Sequence, residues 1–201
     1  LVENDSIWLG HDPNPSGTAS YNVAVGTNAY AAATSGNDNV AIGYGALAAG
    51  DVVSSSIAIG RDALQTLSGA NYYHNIGIGH TALQDLSSGL CNVALGGGAL
   101  GNQTGASYNT AVGHNALNSI TTQGGNLAVG YLAGQDLAAA NNTLIGFEAG
   151  LQNTSGADCT AVGYSAMGAG ITTGAHNTVV GSRAGNTITS GGYNTCIGGA
   201  A

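Results

Sequence analysis

The stretch Asn109-Thr110-Ala111-Val112-Gly113-His114-Asn115-Ala116-Leu117 contains the pattern that organises the whole chain. An asparagine opens the run, two branched residues flank a small one, a glycine closes it, and an Ala-Leu pair follows. Aligned on the closing glycine, the pattern recurs twelve times at intervals of 16 to 19 residues. Regular self-similarity of this kind predicts a repeat architecture, and it fills residues 1–201 as one domain.

Positions within a repeat are counted from the closing glycine, which is position 0. After Gly10, these glycines are Gly26, Gly43, Gly60, Gly79, Gly96, Gly113, Gly130, Gly146, Gly163, Gly181 and Gly198. The residue at −1 is aliphatic in every copy, and the residue at −3 is always Val, Ile, Leu or Thr. The residue at −4 is asparagine in nine copies, namely Asn22, Asn39, Asn75, Asn92, Asn109, Asn126, Asn142, Asn177 and Asn194.

A repeat of about 17 residues is too short for a pair of helices, and each copy carries glycine and asparagine that disfavour helix. The run from −4 to 0 suits a short strand, and we expect a second extended segment near Ala46-Leu47 and Ala116-Leu117. The fold class is therefore all-β, a parallel β-solenoid with one coil per repeat and two narrow parallel sheets. Coils stacked about 4.8 Å apart would form a rod about 50 Å long.

Side chains alternate between the two faces of a strand. We expect the branched residues at −3 and −1 to fill the interior of the coil, which puts the residues at −4 and −2 on the other face. A column of small apolar residues facing outward suggests close approach of another chain, hence a homo-oligomer. The alternative is that alanine is simply tolerated on an exposed strand. The residues of this predicted oligomer face are Ala24, Ala41, Ala58, Ala94, Ala111, Ala128 and Ala161.

The asparagine and glycine columns favour structural roles. Stacked asparagine side chains can bond to the coils above and below and can satisfy turn amides, which predicts an asparagine ladder. The closing glycine predicts a positive φ or a tight approach of backbones at the corner of the coil.

The composition excludes several classes of function. The chain has two arginines, no lysine and a formal charge of −8, so it lacks the basic surface that nucleic-acid binding requires. At 43 % apolar residues it is not a disordered acidic tail. No window holds eighteen consecutive apolar residues, so we expect no membrane insertion within this segment.

The runs Asn22-Val23-Ala24-Val25-Gly26 and Asn39-Val40-Ala41-Ile42-Gly43 resemble the head repeats of trimeric autotransporter adhesins of the YadA type. The longer run from Tyr108 to Leu117 is similar to repeats of phage tail-fibre proteins. The resemblance covers essentially the whole chain and implies a left-handed parallel β-roll in a side-by-side homotrimer. The repeat is longer than in adhesin heads, and the chain shows no coiled-coil stalk or anchor, so bacterial adhesin and viral fibre both stay open.

Candidate chemistry is sparse. His80 and His114 share position +1 but lie two coils apart, too far to share a metal ion. Scattered carboxylates and three irregularly spaced cysteines suggest neither a catalytic pair nor a disulfide framework. We expect no catalytic residues, no metal and no cofactor. Aromatic residues at +1 are candidate lateral contacts for sugars or a partner, or they pack between coils or chains; they are Tyr44, Tyr131, Phe147 and Tyr164.

The leading hypothesis is an extracellular structural segment of a trimeric fibre, on a cell or virion surface, that spaces or presents a receptor-binding tip. The alternatives are a module that binds host glycans through its lateral aromatic face and, third, a tailspike-like depolymerase. Residues 1–17 include both prolines and are an expected N-terminal cap or lead-in segment. The twelfth repeat lacks a cap, so we expect the rod to continue or to stack head to tail.

Overall fold

The computed structural model describes residues 2–3, 6–10, 17–68, 73–168 and 173–200. Within these residues the protein is a β-solenoid with one sheet of thirteen strands in chain order. Much of the expected cap at residues 1–17, including both prolines, lies outside the described residues. The strands β1–β13 are Val2–Glu3, Ser6–Leu9, Val23–Val25, Val40–Ile42, Ile57–Ile59, Ile76–Ile78, Val93–Leu95, Thr110–Val112, Leu127–Val129, Thr143–Ile145, Thr160–Val162, Thr178–Val180 and Thr195–Ile197.

Strands β2 to β13 are parallel and in register, so each repeat position stacks on the same position of the next coil. Ala94, for example, pairs with Ala111, and Ala111 pairs with Ala128. Strand β1 alone pairs antiparallel, with Val2 opposite Ile7. The predicted parallel β-solenoid with a repeat of about 17 residues is therefore confirmed.

The second predicted sheet is wrong for the described residues, where the segment after the glycine is a series of turns. Leu47 and Leu117, which were expected in extended backbone, have φ of +53° and +51°. This left-handed conformation costs a leucine about 1–2 kcal/mol. Two contacts offset that cost: the Leu47 side chain is fully buried, and its N–H donates to the Ala63 oxygen of the next coil at 2.9 Å.

The predicted orientation of the strands is also wrong, because the small residues face inward. The side chains expected on an oligomer face are all buried within a single chain, at 0–3 % exposure, and belong to its core: Ala24, Ala41, Ala58, Ala94, Ala111, Ala128 and Ala161. The branched residues beside them are half-buried or exposed on the opposite face. The leucine at +4 of the turn occupies the interior, so there is space for only a small side chain at −2.

Coils that depart from the consensus show that the side chains at −2 and +4 share the same interior space. In two successive coils, glycine replaces the residue at +4, as Gly134 and Gly150. A Cβ added to either would lie 2.6 Å from a side-chain carbon of Leu144, which holds the −2 position between them. The large side chain thus fills the space that two missing leucines leave. In the first coil Trp8 holds −2, and its ring stacks on Tyr30 at 5.9 Å.

The asparagine ladder predicted at −4 is present and runs through the interior. The Oδ1 of Asn92 accepts the backbone N–H of Asn109 at 3.0 Å, and the Asn109 Oδ1 accepts the N–H of Asn126 at 2.9 Å. In several coils the amide also bonds across its own coil, as where the Nδ2 of Asn109 donates to the Gln123 oxygen at 2.9 Å. In others it bonds to the preceding coil, as where the Nδ2 of Asn126 donates to the Asn109 Oδ1 at 3.2 Å. These asparagines therefore join neighbouring coils, and several of them also close their own coil.

The closing glycines meet both conditions that the sequence predicted. Gly113 has φ of +135°, and a Cβ added there would lie within 2.6 Å of the carbonyl carbon of Gly130 in the next coil. Any larger residue would need to adopt a strained backbone and also push two coils apart. The closing glycines therefore allow neighbouring coils to stack closely at their corners.

Candidate interaction surfaces

The outer face of the sheet is formed by the side chains at −3 and −1. It carries no charged residue and, on strands β3 to β11, its side chains are half-buried or exposed. Ile78 and Leu95, at −1 in neighbouring coils, keep 37 % and 36 % of their surface exposed. Contiguous apolar surface of this kind is unusual on a monomer, which makes this face the candidate for an interaction site. From coil seven onward the −3 residue becomes mainly threonine: Thr110, Thr143, Thr160, Thr178 and Thr195.

The aromatic residues at +1 form a ladder beside this face. The rings of Tyr131 and Phe147 stack at 5.1 Å, and those of Phe147 and Tyr164 at 5.4 Å. His114 continues the ladder on one side of Tyr131 at 5.7 Å, and the guanidinium of Arg183 lies 5.7 Å from the Tyr164 ring on the other side. The ring faces are therefore in contact with one another, and the edges are what point to solvent.

This stacking supports packing between coils over ligand contact as the role of the aromatic column. A sugar packs its C–H groups against the face of a ring, and the faces of Tyr131, Phe147 and Tyr164 already contact neighbouring rings. Packing between coils thus accounts for three of the four candidate contacts. Tyr44, the fourth, lies nearer the N-terminus and is 54 % exposed.

Two of the scattered carboxylates are hydrogen-bonded to neighbouring side chains. The Asp62 carboxylate is buried and accepts from the Arg61 Nε at 3.1 Å and from the Gln65 Nε2 at 3.1 Å. Asp51 accepts from the Thr34 hydroxyl. Among the described residues, no three His, Cys, Asp or Glu side chains are grouped so that they could hold a metal ion. The same residues include no helix that is both apolar and long enough to cross a membrane.

The three cysteines are free and occupy different environments. Cys159 takes an asparagine position in the ladder, where its N–H donates to the Asn142 Oδ1 at 3.0 Å and its thiol contacts the Gly174 oxygen at 3.5 Å. Burial raises the pKa of the Cys159 thiol. Cys91 is exposed. Cys159 thus fills an asparagine position of the repeat as a small side chain.

Buried groups that sequence reasoning missed lie in the turns. The Tyr30 hydroxyl donates to the Val53 oxygen and accepts from the Asn39 Nδ2, both at 2.9 Å, and burial raises its pKa far above the usual value. Gln103 donates to the Ala106 oxygen and accepts from Asn109. The only sequence signal is that other copies carry leucine at these positions, at +4 in five copies and at +7 in three, which indicates that both positions are interior.

Comparison of the chain with family models, curated proteins and solved structures found no match in any of the three.

Proposed function

We propose that this chain is a structural segment of a homotrimeric surface fibre, extracellular on a cell or a virion, in which the copies pack through the outer face of the sheet. The observation that carries the proposal is the uncharged, half-exposed outer face that follows the strands along the rod. The alanine column cannot serve as the contact, since it is buried inside each coil. The number three and the fibre context rest on the resemblance of the repeats to adhesin and tail-fibre proteins.

A second copy of this chain fits the outer face better than an unrelated partner does. The face repeats once per coil, so an identical rod placed alongside has the same spacing at every coil. The chain carries a net charge of −8, but none of that charge lies on this face, so like charges are kept away from the contact. When identical chains are related by rotation about one axis and form a closed ring, this face is buried in every copy. An open arrangement of chains leaves the face uncovered.

The test is the mass of the assembly in solution. Sedimentation equilibrium should give three times the chain mass of 19.5 kDa. Ile78→Glu and Leu95→Glu should dissociate the assembly while far-UV circular dichroism stays unchanged, because a carboxylate can be solvated on the separated rods. Ser87→Glu and Thr104→Glu are matched controls on exposed turns and should leave the mass unchanged. A wild-type monomer, or the same mass in all four variants, would overturn the proposal.

The two alternative functions have less support. Glycan binding by the aromatic ladder would need ring faces that are instead stacked on each other. A depolymerase would need two carboxyl groups in one groove. Two of the scattered carboxylates are engaged elsewhere: Asp51 accepts from Thr34, and Asp62 accepts from Arg61.

A further inference from the structure

The chain has two arginines, and each stands one coil after the same combination of residues. That combination is an aspartate at −5 and a tyrosine at +1, and no other coil of the sequence has it. The two sets are Asp38, Tyr44 and Arg61 in coils three and four, and Asp158, Tyr164 and Arg183 in coils ten and eleven. Because the only two arginines both occur in this context, we expect the three side chains of a set to act together.

The aspartate of each set lies at one edge of the outer face, and the tyrosine and arginine lie at the other. From β3 to β13, position −5 comes two residues before the strand begins, and +1 comes two residues after it ends. In-register stacking extends both positions as columns along the rod. The three strand residues between the columns span about 10 Å. Among the described residues, neither Asp38 nor Asp158 forms an ion pair with an arginine of its own chain.

The contacts that these groups make within one chain leave capacity for further bonds. The Asp158 side chain is 44 % exposed, accepts from the Asn141 Nδ2 at 3.2 Å and lies 3.9 Å from the His176 Nδ1. The Arg61 side chain is 66 % exposed and uses its Nε for the bond to Asp62. A guanidinium carries five N–H donors, so the terminal nitrogens of Arg61 can still bind another carboxylate.

A ring of parallel copies brings the two edges together. When identical rods are related by rotation about an axis along their length, the −5 edge of one copy lies beside the +1 edge of the next. Coils of the same number then lie at about the same height, and the following coil is about 4.8 Å further along. Each aspartate therefore faces the neighbour's tyrosine at its own level and the neighbour's arginine one coil away, within reach of that long side chain.

We propose that Asp38 and Asp158 of one copy bind the tyrosine and arginine of the matching set on the next copy, and so fix neighbouring rods in a parallel orientation. This inference rests on the proposed homotrimer and names the side chains that orient it. The two contacts lie seven coils apart, about 34 Å along the rod, and a reversed neighbour would lose both. Exposed ion pairs contribute little affinity, so the apolar face holds the copies together and the charged edges select their orientation.

Charge reversal tests the contact at coils ten and eleven. Asp158→Arg and Arg183→Asp should each raise, at least fivefold, the protein concentration at which half of the assembly dissociates in sedimentation, because like charges then meet. The double variant should return within twofold of wild type, because the pair is restored with exchanged signs. Asp136→Arg is the control for net charge: it makes the same change as Asp158→Arg on an exposed turn and should stay within twofold of wild type.

A disulfide tests the orientation of the copies. Cys91 is exposed at −5 of coil six, and Gly97 stands at +1 of the same coil. A Cβ at Gly97 would meet only the His114 Cδ2 at 3.5 Å and the His80 oxygen at 3.8 Å, so a cysteine fits there. Within one chain the strand holds these two positions about 10 Å apart, beyond the reach of a disulfide. Gly97→Cys oxidised with diamide should therefore run as a covalent trimer on a non-reducing denaturing gel.

The control for the disulfide is Ser182→Cys, which also stands at +1 and is exposed, but lies five coils from Cys91 and should give no covalent trimer. The proposal is overturned if Asp158→Arg assembles as Asp136→Arg does, if the double reversal does not recover, or if Gly97→Cys gives no covalent trimer. Sedimentation of the wild type separates the two failures. A wild-type trimer with any of these results removes the charged contacts alone, whereas a wild-type monomer overturns the proposed fibre as well.

Discussion

The two faces of each strand follow different rules, although their residues alternate along three-residue segments. The inner face holds asparagine in nine of twelve copies at −4 and alanine in seven of twelve at −2, and a larger residue there is compensated by its neighbours, as with Leu144 beside Gly134 and Gly150. The outer face, at −3 and −1, accepts any branched residue and changes toward threonine in the second half. A thin coil therefore restricts the volume of the side chains that it encloses far more strictly than that of the side chains on its outer face.

Loss of the side-chain amide of one ladder asparagine should destabilise the fold most. Asn109→Ala leaves the Asn126 N–H and the Gln123 oxygen without their partners, both near the coil interior. Each unpaired buried group costs about 1–3 kcal/mol, so the free energy of unfolding should fall by about 2–6 kcal/mol. Asn102→Ala is the control on an exposed turn and should cost less than about 1 kcal/mol. Equal losses in a urea titration would mean that the ladder is not structural.

Leu144 and Ile145 are adjacent in strand β10 and lie on opposite faces of the sheet. Leu144→Ala opens a cavity where two glycines leave no substitute, and should cost about 2–5 kcal/mol. Ile145→Ala, one residue along and 36 % exposed, should cost less and should act mainly on self-association. Chemical denaturation at a protein concentration low enough to dissociate the assembly measures the stability of the single chain, separately from any effect on self-association. A larger loss for Ile145→Ala would reverse the assignment of the faces.

The smallest effect concerns thiol reactivity. Cys91 is exposed, whereas burial raises the pKa of Cys159, and only the thiolate reacts. At pH 8, iodoacetamide should modify Cys91 at least tenfold faster than Cys159 in the folded protein. The difference should vanish in denaturant, and mass spectrometry of the peptides reads both sites. Equally fast modification of the folded chain would place Cys159 outside the ladder.

The sequence was sufficient to predict the solenoid, its period, the asparagine ladder and the role of the closing glycines. Each of these follows from residue types repeated at fixed spacing. It was not sufficient to predict which strand face points inward, because alternating residues define two faces without indicating which one is buried. Hydrophobicity favoured the branched residues, but the left-handed turn that carries Leu47 and Leu117 brings the leucine at +4 inside. That turn has no simple sequence signal, since leucine seldom adopts a positive φ.

The candidate sites show the same limit. Residue identity pointed to the aromatic column at +1, yet the in-register stacking of coils turns most of those rings toward each other.

The orientation of the strands is tested most directly by two neighbouring charges. Ala111 is fully buried, and Val112 lies half-buried on the outer face. Far-UV circular dichroism and sedimentation are measured together on Ala111→Glu and Val112→Glu. We expect Ala111→Glu to fail to fold, because its carboxylate is buried without a partner, and Val112→Glu to keep its β-structure with a reduced assembly mass. A folded Ala111→Glu beside an unfolded Val112→Glu would contradict this orientation of the strands.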